Sequence, residues 1–207
     1  MNIRTIIAPI ALFAAAFCPS RFAHAADAYT IDPTHTSIVF SVGHAGLSYT
    51  YGFFKTAAGN YALDKTNPAN SQFQLVIQAD SLDTNNAKRD EHLRGPDFFN
   101  ARQFPQIRFV SRACTATNTP EGVVFNLTGD LTMHGVTRSV KVPLRMLAEG
   151  LGPYKDRRSG FFCQLDLKRS DFGMDKLLEN NLVGDAVSIT ISFEGFVEGT
   201  GTPQNTR

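Results

Sequence analysis

The side chains able to do chemistry are few and far apart. His35, His44, His92 and His134 are separated by 9, 48 and 42 residues, with no His-x-His, HExxH or Cys–His grouping of the kind that holds a metal ion. The chain has no G-x-S-x-G elbow for acyl transfer, no phosphate-cradling glycine loop and no dinucleotide fingerprint. Carboxylates are scattered, and Asp90-Glu91 reads as a solvated helix face rather than an acid–base pair. Asp83, Arg89 and His92 fall on one connection, where hydrogen bonds that order a loop are the simpler expectation. Neither catalytic chemistry nor a metal or organic cofactor is expected.

Two polar residues share the phase of apolar ones: Arg169 follows Leu165 and Leu167, and His44 follows Phe40 and Val42. A buried unpaired arginine is costly. Arg169 must therefore stand at an opening, pair with a carboxylate such as Asp171 or Asp175, or meet a ligand oxygen. His44 is expected to make a core or loop hydrogen bond, or to stand at the same opening.

What must position these residues is a set of strands. From Tyr29 onward the sequence falls into eight segments of period-two alternation, rich in Val, Ile, Thr and Phe: 29–44, 51–64, 71–82, 106–117, 122–133, 137–147, 160–170 and 187–197. Gly, Asn, Pro and Asp separate them. The longer connection 86–100 carries a helix-like stretch, Ala87 to Arg94, stopped by Gly95-Pro96. A second runs from 173 to 184.

The alternation assigns one apolar face to each strand. It comprises Ile38, Phe40 and Val42; then Gly52 and Phe54, followed by Gly59 as a candidate bulge; then Phe73, Leu75 and Ile77; then Ile107 and Phe109. The fifth segment is the clearest, with Val123, Phe125, Leu127, Leu131 and Met133 opposite Asn126, Thr128, Asp130 and Thr132. Val140, Val142, Leu144 and Met146 continue the face, then Phe161, Cys163, Leu165 and Leu167, and last Ile189, Ile191 and Phe193. An antiparallel meander of this kind removes its edges by closing into a barrel, which is either filled by its own side chains or holds one small ligand. Periodicity does not choose between these.

Composition sets the outer bounds. The 207 residues suffice for one domain, and 43% hydrophobic with 19% charged residues excludes a disordered chain, a coiled coil and a highly charged nucleic-acid binder. Seventeen Phe and no Trp suggest an unusually greasy interior. The start reads as an export signal over 1–25: Arg4, then the apolar run 6–17, then Ala23-His24-Ala25. Twelve apolar residues are too few to span a bilayer, and Phe17 before Cys18 argues against a lipoprotein. Cleavage removes Arg4 and Arg21 and leaves 18 basic against 19 acidic residues, so no strongly charged partner is implied. The mature chain is expected outside the cytoplasm, as a domain over 26–199 and a frayed tail over 200–207. Of its two cysteines, Cys163 shares the inward phase of Phe161, whereas Cys114 is in phase with Arg108 and Arg112. The thiols are therefore expected on opposite sides of the sheet and unbridged, unless a bulge reverses the fourth strand.

The run of motifs resembles the exported YceI-like, or polyisoprenoid-binding, family. The matching stretches are YTIDPTHTSIVFSVGHAGLSYTYGFF (29–54), SLDTNNAKRDEHLRGPDFFNARQFPQIRFVS (81–111), LTGDLTMHGVTRSV (127–140) and KRSDFGM (168–174). The resemblance implies an all-β fold, an eight-stranded antiparallel lipocalin-like barrel with a short helical connection. It also implies a hydrophobic channel for an isoprenoid such as a quinone or polyprenyl lipid, and a periplasmic role in transport, storage or sensing without catalysis. His44, the stretch Arg89-Asp90-Glu91-His92-Leu93, Phe98-Phe99 and Arg169 stand at family-typical positions. The expected wall is thus the apolar face above without Ile38, Gly52, Gly59, Val123, Val140, Met146 and Phe193, joined by Phe98 and Phe99, twenty-two residues in all, and the expected polar mouth is His44, Arg89, His92 and Arg169. Cys163 departs from the small residue expected there. An isoprenoid lipid, a membrane donor or acceptor protein and a second copy of the chain are the expected partners, with no nucleic acid. A filled barrel serving as a structural or stress-response module stays open, as does an exported hydrolase using His44, His92 or His134.

Overall fold

The computed structural model describes residues 26–197; the expected export signal and C-terminal tail lie outside them. The strands are β1 (Asp27–His44), β2 (Ser48–Phe54), β3 (Ala57–Leu63), β4 (Gln72–Gln78), β5 (Leu82–Asp83), β6 (Gln106–Thr119), β7 (Gly122–Met133), β8 (Val136–Leu151), β9 (Arg157–Lys168) and β10 (Val183–Phe196). A helix α1 (Ala87–Arg94) follows β5. All pairings are antiparallel, in the order β10-β9-β8-β7-β6-β4-β3-β1-β2-β5, and β10 also pairs with β1, closing an eight-stranded barrel.

Ten strands make eight staves because two staves are broken. β1 is 18 residues long and pairs with β3 through Asp27 to Thr30 and with β2 through Ile38 to His44. The expected single segment 51–64 is therefore two strands joined by exposed Lys55-Thr56, and β2 begins earlier, at Ser48. The expected segment 71–82 is likewise β4, a 3-10 turn at Ala79–Ser81, and β5. Gly59 is not a bulge, since its pairing with β4 runs without a shift. It is small because a Cβ there would lie 2.2 Å from the Gln74 carbonyl oxygen. The helix forms where its caps place it: the Asn86 side chain accepts from Arg89 N at 3.0 Å, and Gly95 ends it. Buried Asp90 accepts from Thr84 N and Oγ1, while Arg94 donates to the carbonyls of Asp80 and Leu82, fastening the helix to β5.

The cysteine phase needs correction. Between Ser111 and Ala113 the β6–β7 register shifts, so from Cys114 onward β6 presents the opposite side, and Cys114 is buried with Leu127 and Phe125 rather than facing outward. Both thiols are interior and free. Burial raises Cys114 to about 11 and Cys163 to about 12.

One barrel end is sealed by aromatics and roofed by charge. Tyr61 stacks between Tyr29 and Phe73, at 4.8 and 5.3 Å between centroids, and meets Phe161 edge-on. Its hydroxyl lies 2.5 Å from Ser159 Oγ. Beyond this stack, Arg158 Nη1 reaches Asp32 at 2.7 Å and Glu194 at 2.9 Å, and its Nε reaches Asp156 at 2.7 Å. Burial alone would raise the Asp32 carboxyl, but hydrogen bonds from Thr34, His35 and Arg158 outweigh it and hold it well below the usual carboxylate range.

Three outcomes are expected. Thiol titration of the chain lacking residues 1–25 should find two thiols under denaturing, non-reducing conditions and slow reaction of both in the native state. Arg158→Ala, which leaves Asp32 and Asp156 buried without their cation, should cost about 3 kcal/mol and lower Tm by roughly 10 °C. In the wild type, Asp32 contributes stability above its unfolded pKa that fades as protons bind, so the urea midpoint should fall as pH drops below about 4.

Candidate functional site

Inside the barrel, β-strand alternation turns the predicted apolar side chains onto a common axis. The space left between them is a cavity of about 180 Å³ lined by thirty residues, all apolar except Gln74 and Arg169. A compact apolar void of roughly 150 Å³ holds one benzene. Here a similar volume touches staves all round the barrel, so it is long and narrow. On β7, whose pairing with β8 is unshifted, the lining runs from Leu127 to Met133, about 20 Å along the strand, or roughly 15 Å along the axis at the usual tilt.

Of the twenty-two expected wall residues, all but Phe125 and Phe161 line this channel. Those two belong instead to the aromatic seal, 1% and 0% exposed, where Phe161 packs on Phe193 and Tyr61. Phe98 and Phe99 line the helix end, Phe99 meeting Phe54 edge-on at 5.5 Å. Cys163 is part of the wall. Ile31, Leu93, Met174, Val183 and Val187 also line it. Leu93 could have been found as an apolar residue interrupting the charged face of α1, but Met174 and Val183 lie in or beside a connection with no periodicity to reveal them.

The expected polar mouth is mostly not one. Arg169 alone lines the channel. It begins a 3-10 turn after β9, is 5% exposed, and donates to three carbonyls: Nε to Gly184 at 2.8 Å, Nη1 to Met174 at 2.5 Å and Nη2 to Val183 at 2.9 Å. Its guanidinium stands 5.9 Å over the Phe98 ring. Of the alternatives open to Arg169, pairing with Asp171 or Asp175 gives way to backbone acceptors, and burial pulls its pKa down against the pull of Asp185 and Asp175. These bonds fix the 173–184 connection across the helix end.

His44, Arg89 and His92 lie outside the lining. His44 keeps the inward phase, opposite Ser48 on β2 and Val183 on β10, but it is the last residue of β1, beside the hairpin turn, and is exposed. Arg89 folds back on Thr84, with Nε to Oγ1 at 2.7 Å and Nη2 to the carbonyl at 2.6 Å. His92 pairs with Asp97 at 3.0 Å on the surface, and Lys176 reaches the same carboxylate at 3.7 Å. His134 Nδ1 lies 2.9 Å from the Phe172 carbonyl oxygen. His92 and His134 thus have separate local partners. Among the described residues, Asp32, His35 and Glu194 alone form a compact group of metal-ligand type. The Arg158 guanidinium already sits between its carboxylates, so a metal ion would have to displace a buried cation.

Comparison with known proteins agrees with this geometry. The chain is 35% identical over 185 residues to Protein YceI of Escherichia coli O157:H7, covering 88% of this chain and 93% of that protein. Among solved structures, Burkholderia cenocepacia BcnA matches with a TM-score of 0.69 at 26% identity, over 79% of this chain and 98% of BcnA. A polyisoprenoid binding domain from Saccharophagus degradans, implicated in plant cell wall breakdown, shares the fold with a TM-score of 0.65 at 15% identity, over 83% of this chain and 99% of that domain. The YceI-like domain matches residues 29–195, the whole barrel from β1 to β10, and the chain belongs to the YceI-like family.

Proposed function

We propose that this protein binds a long-chain isoprenoid lipid, of the isoprenoid-quinone or polyprenyl type, in the barrel channel and performs no catalysis. The observation that carries the reading is the narrow, almost wholly apolar channel. A slender hydrocarbon chain satisfies such a wall along its length and needs no hydrogen bonds there. At about 0.8 kcal/mol per buried methylene-sized group, each five-carbon unit contributes roughly 3 to 4 kcal/mol before ordering costs. Affinity would therefore rest on the tail. Arg169 already donates to three carbonyls, so it serves first to hold the helix end of the channel together and only second to meet a head group. The methyl branches would need small shifts of lining side chains, which Met133 and Met174, unbranched and soft, are suited to make. The name carried by the Saccharophagus domain supports the same ligand class.

The sequence before Ala26 supports export to the periplasm, where such a barrel would transport, store or sense the lipid and exchange it with a membrane donor or acceptor protein. Intact mass of the exported protein should correspond to a chain starting at Ala26; retention of the first 25 residues, or a lipid on Cys18, would overturn this. For the ligand, organic extraction of protein purified from its native host, followed by mass spectrometry, should yield an isoprenoid. Leu131→Asp, which places a carboxylate in the middle of the wall, should retain none, because that charge has no partner there. A barrel filled by its own side chains would give a lipid-free wild type, and that result would defeat the proposal.

A further inference from the structure

Three glycines within strands each lie under an aromatic ring of another strand. Phe40 stands opposite Gly52 in the β1–β2 pairing, and a Cβ on Gly52 would lie 2.3 Å from Phe40 Cζ, 2.7 Å from Cε1 and 2.9 Å from Cε2. Near-equal distances to three ring atoms set the face of the ring, not its edge, on the bare backbone. Phe109 of β6 pairs with Leu131 but leans diagonally over Gly129, where a Cβ would lie 2.7 Å from both Cε2 and Cζ of the ring and 2.5 Å from the Val110 carbonyl oxygen. Gly129 is the gap in the inward row Leu127, Leu131 and Met133 of β7. The third ring is Tyr61, whose hydroxyl oxygen lies 2.2 Å from the place a Cβ on Gly195 would take.

The rings differ in where they go. β3 and β10 both pair with β1 and not with each other, so Tyr61 reaches past a stave to Gly195 and plugs the barrel. Phe40 and Phe109 cover glycines of adjacent strands, so they stay against the wall, and both line the channel. Phe40 is hemmed in by Ile38 and Val42 on its own strand, by Ile189 opposite it on β10, and by the Phe54 ring at 5.5 Å between centroids. The direction left to it is toward the barrel axis. Ordinary carbon contact is about 3.5 to 4.0 Å, so a methyl group on residue 52 would drive the ring inward by more than about 1 Å. A methyl branch broadens a hydrocarbon chain by a similar amount, its carbon standing about 1.5 Å off the main chain.

We propose that Gly52, seconded by Gly129, sets the bore of the channel and with it the choice of a methyl-branched over a straight chain. Each glycine takes a phenylalanine ring onto the wall and leaves free the breadth that branches need. The inference rests on the isoprenoid reading above and names the residues that make the channel selective. Neither glycine lines the channel; each is a positioning residue that acts through its ring. Gly52 is the sharper of the two, because its near neighbours are ring atoms, whereas an alanine at 129 would also press on main chain.

Phytanic and palmitic acids share a main chain and a carboxyl group and differ only in the methyl branches of the first. Calorimetric titration of each into the delipidated chain lacking residues 1–25 therefore reads the bore. The wild type should bind phytanate more tightly than palmitate, since the branches bury additional apolar area. Gly52→Ala should weaken phytanate about tenfold or more and palmitate much less. The Gly52→Ala, Phe40→Leu double variant, with a smaller side chain to displace, should regain phytanate, and it carries the test if the single variant does not fold. A wild type that binds palmitate as tightly as phytanate, or binds neither, overturns the proposal. So does a folded Gly52→Ala protein with unchanged phytanate affinity, one that loses both acids equally, or a double variant that does not regain phytanate. Lipid extraction reads the proposed function separately: a wild type that yields isoprenoid but fails these titrations sinks this proposal alone, and one that yields none sinks both.

Discussion

At the seam where β1 meets β10, pairing runs from Thr30 opposite Phe196 to Val42 opposite Val187, and it turns an antiparallel meander into a closed wall. Closure gives both seam strands a hydrogen-bonded neighbour and forces alternate side chains of every stave toward one axis. The interior therefore becomes apolar because each stave has one apolar face, without further instruction. It also becomes too narrow for bulky polar groups, which gather at the two ends. The unguarded exception, the outer edge of β2, exists because the neighbouring stave is interrupted after Gln78 and resumes for only two residues at β5.

The two ends dispose of buried charge in different ways. Arg158 is neutralised by Asp32, Asp156 and Glu194, a cluster whose acids come from β1, β10 and the turn before β9, so it ties the seam to the sealed end. Arg169 instead has three carbonyl acceptors and no ion-pair partner among the described residues. Carbonyls orient a guanidinium without cancelling its charge. The first arrangement seals an end. The second builds a border for the channel from backbone that would otherwise have too few partners.

Much of this was legible in the sequence. Strand β7 alternates so regularly that its inward residues, including Leu127, Leu131 and Met133, could be named from period alone, and the end of α1 was marked by Gly95-Pro96. One error arose where a single residue changes phase: the bulge between Ser111 and Ala113 put Cys114 inside and leaves no mark in a two-residue repeat. His44 has the expected phase but stands at the end of β1, past the lining. Phe125 and Phe161 have the right phase, but phase does not tell depth along a barrel, and depth is what separates a seal from a channel. Arg169 was correctly suspected of burial, yet its acceptors are main-chain atoms of Met174, Val183 and Gly184, which sequence does not point to.

The aromatic stack of Tyr29, Tyr61 and Phe73 makes the channel a blind tube. For the proposed lipid entering at the helix end, that floor would make the tube a length gauge, with hydrocarbon beyond roughly 15 Å left to protrude. Short and long homologues of one lipid would then bury equal lengths once the floor is reached, and would differ only in what is left outside. Traffic of the proposed lipid would then be single-file through one door, with the last segment to enter the first to leave. A head group parked at α1 would thus be the part offered to whatever receives the cargo.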